Sequence, residues 1–103
     1  MKTAPEVHSA IMVIVDDRRI AAAKSDYDWK VCVRAVAAAA ALIQGVPVAG
    51  TPREYCGAVL SGLQKLFDDY YDVDGEYTSG RSDIGTIISR IESLEKSLPI
   101  LAS

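Results

Sequence analysis

His8 is the single histidine of the chain, so any imidazole acting as a base or proton carrier near neutral pH must be this one. It stands near the N-terminus on a predicted helix edge. No cysteine or serine is tied to it by spacing, so it reads as a surface histidine. Carboxylates occur in adjacent or near-adjacent pairs at Asp16-Asp17, Asp68-Asp69 and Asp72/Asp74. Paired acids can divide general-acid and general-base work when they converge in one cleft. Neighbours in sequence on a helix point in different directions, and those pairs read as solvated.

The two cysteines, Cys32 and Cys56, form no Cys-x-x-Cys pair and have no metal-site spacing. They read as small apolar core residues. A bridge between neighbouring helices stays open at this stage, because both fall on predicted apolar faces. The run Asp72-Val73-Asp74-Gly75 imitates part of a calcium loop. With Gly75 in the glycine position, Tyr70 would open the loop and Arg81 would close it. Calcium needs an oxygen donor first and a bidentate acid last, so the run reads as a solvated turn. No glycine-rich phosphate loop is present. These residues predict a protein without a cofactor, a metal or a catalytic residue.

Aromatic residues suggest recognition instead. Tyr55, Tyr70, Tyr71 and Tyr77 gather around one stretch, and Tyr27 with Trp29 opens another. Tyrosine and tryptophan combine a large apolar area with a polar tip and are favoured at binding surfaces. Tyr70 continues an apolar stripe and reads as core. Tyr71 and Tyr77, rimmed by Asp72 and Asp74, would meet a basic protein partner; a loop pinned by its own tyrosines is the competing reading. Surplus apolar residues at Met12, Val13, the Ala37–Ala41 face and Ile100-Leu101 predict self-association as a homodimer or larger assembly. A second class of function is a small-ligand pocket between helices, lined by Tyr27 and Arg34.

The elements that position these residues follow from composition and period. The chain has 103 residues, 50% of them apolar and 24% charged, which is one domain spanning 1–103. Net charge is −3, which argues against a phosphate-binding surface and hence against nucleic acid. The longest unbroken apolar run, Ala35 to Ile43, is too short to cross a bilayer. Charges at Asp16-Asp17-Arg18-Arg19 do not suit a signal peptide, so a cytoplasmic protein is expected.

Val31 to Ile43 is rich in alanine and valine with Arg34 as its one charge, and it predicts a central helix sheathed by its neighbours except along a wet edge marked by Lys30 and Arg34. Thr3-Ala4-Pro5-Glu6 and Thr51-Pro52-Arg53-Glu54 have the form of capping boxes with an early proline. Ser25-Asp26-Tyr27-Asp28 is a third cap, and Gly45-Val46-Pro47 stops the helix it opens. Cys56, Val59, Leu60, Leu63, Leu66, Phe67 and Tyr70 repeat at helical spacing, as do Ile84, Ile87, Ile88, Ile91, Leu94 and Leu98. The last helix is expected to open at Ser82-Asp83, after a loop from Asp72 to Arg81, and to end at Pro99. The first helix carries Val7, Ile11, Ile14, Val15 and Ile20 on its apolar stripe. Its stretch 10–15 also suits a buried strand.

On that strand reading, Ile11-Met12-Val13-Ile14-Val15-Asp16-Asp17 resembles the opening of a phospho-receiver domain, where an acidic pair follows the first strand and helps hold magnesium. Such a domain needs a third-strand aspartate further on. Here that region reads Gly50-Thr51-Pro52-Arg53-Glu54-Tyr55-Cys56, with no apolar strand leading to an acid, so the resemblance ends with its first seven residues.

A helix-turn-helix is disfavoured by the six-residue turn from Gly45 to Gly50 and by Arg53 and Lys65 being the only bases of the following helix. Four helices with short connections predict an all-α, antiparallel four-helix bundle. Small acidic helical proteins of this kind include inhibitors, immunity proteins and phage head–tail adaptors, an analogy of size and class. The expectation is a non-enzymatic, protein-binding chain.

Overall fold

The computed structural model describes residues 3–24, 29–70 and 79–98. They form four helices: α1 (Ala4–Ala23), α2 (Trp29–Gln44), α3 (Pro52–Asp69) and α4 (Ser79–Lys96). No strand occurs among the described residues, and residues 10–15 lie within α1.

Both threonine boxes form as their spacing requires. Thr3 and Thr51 have extended backbones, and their hydroxyls accept from the amides of Glu6 and Glu54. Glu6 and Glu54 reach back to accept from the threonine amides at 3.2 and 2.9 Å. Hydrogen bonds from the Thr51 amide and hydroxyl hold the Glu54 carboxyl below its usual range. Gly50 precedes the second box with φ of 79°, a left-handed backbone in which a side chain would be strained.

Side-chain contacts give the helix directions. The start of α1 meets the start of α3 at His8 and Tyr55, and the second half of α1 meets the start of α4 at Arg18 and Asp83. Early α3 touches late α4 at Cys56 and Ile91, and late α3 touches early α4 at Phe67 and Arg81. Gly80, early in α4, lies on Val31 and Ala35, early in α2. Consecutive helices therefore run in opposite directions. The most extensive packing is α1 on α2, α2 on α4 and α4 on α3, while α2 and α3 touch least. Parallel α2 and α4 are thus neighbours, and the 45–51 connection carries the chain across a diagonal.

Small residues explain that pairing. A methyl group on Gly80 would stand 3.0 Å from Val31 Cγ1, 3.1 Å from Ala35 Cβ and 3.2 Å from the Val31 carbonyl oxygen. Glycine against alanine lets the two backbones close to a distance that larger side chains would forbid. This contact also shifts the start of α4. Ser79 and Gly80 were expected in the loop, but they are helical, because packing on α2 outweighs the roughly 1 kcal/mol that a glycine costs in a helix.

The core takes Val7, Ile11 and Val15 from α1, Ala35, Val36, Ala39 and Ile43 from α2, Tyr55, Cys56, Val59 and Leu63 from α3, and Ile84, Ile87 and Ile91 from α4. The stripes read for α3 and α4 are the buried ones. For α2 the wet edge expected at Lys30 and Arg34 is present and extends further along the helix. Lys30, Arg34, Ala37, Ala41 and Gln44 form an exposed stripe, so the alanine helix has one wet side. Alanine's small apolar area makes such exposure cheap.

Candidate interaction surface

Groups that carry chemistry are mostly spent on structure. His8 is half-buried, and its Nδ1 lies 2.6 Å from the Tyr55 hydroxyl, so the expected free surface histidine is a bridge between α1 and α3. Tyr55 was grouped with the recognition aromatics, yet it is 1% exposed. Burial, then the neighbouring Cys56 thiol, raises its pKa. A buried phenol that keeps its proton satisfies a core hydrogen bond and is closed to a solvent-side reactant.

The Cys56 thiol donates to the Ile91 carbonyl at 3.9 Å and is fully buried. Burial and the Glu95 carboxylate push its pKa up to about 11, with Arg53 acting weakly the other way. Such a thiol is protonated at neutral pH and is a poor nucleophile. Cys32 and Cys56 are both free thiols, which closes the question of a bridge between them. Among the described residues no three His, Cys, Asp or Glu side chains come together as metal ligands do. None of the described helices is long and apolar enough to cross a membrane.

Two basic side chains stitch the other end of the bundle. Arg18 Nε approaches Asp83 Oδ1 at 3.0 Å, with both side chains largely buried, but its N–H is not directed at the carboxylate. The contact is therefore mainly one of charge. Arg81 Nε donates to the Phe67 carbonyl at 2.8 Å, and its guanidinium carbon lies 3.8 Å from the centre of the Phe67 ring. It satisfies one of the terminal carbonyls of α3 and stacks on the ring beside it.

The remaining unusual feature is apolar surface. Val13 is 59% exposed and Ile20 56%, the two most exposed large apolar side chains among the described residues. Ile20 was expected on the buried stripe. Seven residues after Val13 is nearly two full turns, so the two share one side of α1, opposite the core residues Val7, Ile11 and Val15. Met12 is partly buried against the core, at the margin of this outer side. Asp17 and Lys24 are exposed and each stands four residues after an apolar position, Val13 and Ile20. Asp16 pairs with Arg19 at 3.3 Å within α1. Trp29, also exposed, opens α2 at the end of the bundle where α1 stops, with the Lys30 ammonium 5.6 Å from the centre of its ring.

Of the residues singled out from sequence, Met12 and Val13 are thus on or beside this outer side. Ile100 and Leu101 lie outside the described residues, as do Tyr71, Asp72, Asp74, Tyr77 and Tyr27. Arg34 is exposed, on the wet side of α2. Sequence reasoning missed Ile20 as a surface residue, though its spacing from Val13 carried the signal. Comparison with known protein families, curated proteins and solved structures finds no match for this chain.

Proposed function

We propose that this chain is a non-enzymatic protein-binding module that works as a homo-oligomer, with the outer side of α1 as its binding surface. The observation that carries the reading is the exposure of Val13 and Ile20 on a helix whose opposite side is core. An isolated exposed aliphatic side chain is ordinary. Two on one helical side, with Met12 at its margin, form a stripe of the kind that partner helices cover. Inhibitor, immunity or adaptor roles suit an acidic helical chain of this size. The two buried free thiols favour a reducing compartment, and with it a cytoplasmic protein. A basic partner suits the net charge of −3 and the acids near Tyr71 and Tyr77.

The test uses the full chain as bait in extract from its own cells. Val13→Glu with Ile20→Glu is compared with the unaltered chain, and Tyr71→Ala with Asp74→Ala forms a separate arm. Helical circular dichroism confirms that each bait is folded. Loss of a captured protein with the α1 variant supports the surface. Loss with the tyrosine variant alone moves the binding site to the 71–77 stretch. Capture that is the same for all baits overturns the reading.

A further inference from the structure

We infer that the last two turns of the outer side of α1, around Ile20, are covered by the same turns of a second copy of this chain, packed antiparallel about a two-fold axis near Ile20. This rests on the reading above and names its occupant. Charge placement carries it. Asp17 and Lys24 lie on the same edge of the apolar stripe, one turn before and one turn after Ile20, and neither has an ion-pair partner among the described residues. In an antiparallel helix pair, an edge faces the same edge of its partner, running the other way. Asp17 of each copy then meets Lys24 of the other, and Ile20 meets Ile20 at the axis.

One two-fold satisfies both charge pairs at once, as an isologous interface requires. A parallel pair would turn this edge toward the opposite edge of the partner helix, and Asp17 would not meet Lys24. Asp16, already held by Arg19, makes no demand on the partner. Val13, about 10 Å from Ile20 along α1, lies outside the overlap of the two helices. The pattern is self-complementary, so a second copy fits it better than an unrelated basic helix, which would leave Lys24 opposed by like charge.

Light scattering across a concentration series, with charge-swapped variants, tests this. The expected result is a mass of two chains. Asp17→Lys or Lys24→Asp weakens the dimer by about tenfold or more, and the double swap Asp17→Lys with Lys24→Asp restores it. All these side chains are exposed, so the variants fold, which circular dichroism verifies. Ile20→Cys supplies a second readout. Under mild oxidation it cross-links two copies through a disulfide, while the buried Cys32 and Cys56 stay free.

A chain that stays monomeric up to about 1 mM, far above the Kd of a specific complex, overturns this inference together with the homo-oligomer. The capture experiment then still tests α1 as a surface for another protein. A dimer that ignores the single swaps and gives no Ile20→Cys cross-link overturns this interface alone. Single swaps that weaken the dimer without rescue by the double swap overturn the antiparallel pairing.

Discussion

The hydroxyl of Tyr55 and Nδ1 of His8 are 2.6 Å apart, with ring centres at 5.9 Å and ring planes inclined by 55°. This one contact ties the first turns of α1 to the first turns of α3, two parallel helices that are not consecutive in the chain. With the imidazole proton on Nε2, the phenol donates to Nδ1 and both buried polar atoms are satisfied. Tyr55→Phe keeps the ring and removes only the donor, so it costs about 0.5–1.5 kcal/mol. Tyr55→Ala leaves a cavity in the core and costs about 3–5 kcal/mol. A urea-denaturation cycle with His8→Ala and Tyr55→Phe isolates the pair; additive losses would mean that the contact contributes nothing.

Gly80 and Gly57 are both helical, and alanine at each should have opposite effects. At Gly57 nothing lies within 4 Å of the added methyl group, so Gly57→Ala gains up to about 1 kcal/mol from helix propensity. At Gly80 the same gain meets Val31 and Ala35, including a main-chain oxygen that cannot swing aside. Overpacking of that kind costs about 1–3 kcal/mol, so Gly80→Ala is expected to lower stability. Melting temperatures of the two variants, side by side, check the sign.

Arg18 and Asp83 join α1 to α4 with side-chain exposures of 22% and 12%. Asp83→Ala strands a largely buried guanidinium and should cost more than the pair is worth, about 1–3 kcal/mol after allowing for remaining solvent contact. Replacing both with methionine or leucine removes the stranded charge. The double variant is therefore expected to be more stable than Asp83→Ala, and denaturation midpoints for the three chains decide it.

Alkali should loosen the end of the bundle where α3 begins. Cys56 holds its proton to about 11 in the fold against an ordinary 9.0, and Tyr55 is raised above 10.0. Below pH 9 neither group distinguishes folded from unfolded chain. As pH rises through 9.0 to about 11, the unfolded chain releases protons that the fold retains, so stability falls. Urea midpoints at successive pH values should show this decline, and Cys56→Ala should flatten its first part. An unchanged slope in that variant would assign the decline elsewhere.

Several features were legible in the residues themselves because their causes are local. A threonine, a proline and a glutamate within four positions are enough to build each capping box. The spacing of Val59, Leu63 and their neighbours chooses the buried side of α3, since its other side is polar, and Ile84, Ile87 and Ile91 do the same for α4. Four helices with short connections follow from these signals.

Tertiary packing decided what periodicity could not. On α1, apolar residues occur on both sides, so period alone places Ile20 with either; the approach of α2, α3 and α4 to the Val7–Ile11–Val15 side leaves Ile20 and Val13 outside. Tyr55 is buried because His8, far away in sequence, offers its hydroxyl a partner. Gly80 is a turn residue by type and a helical one by position, since only the arrival of α2 makes its missing side chain an advantage. Local hydrogen bonding and hydrophobic spacing thus determined where the helices form. Which faces meet depended on close packing between segments remote in the chain, and packing of that kind exists only once the helices are assembled.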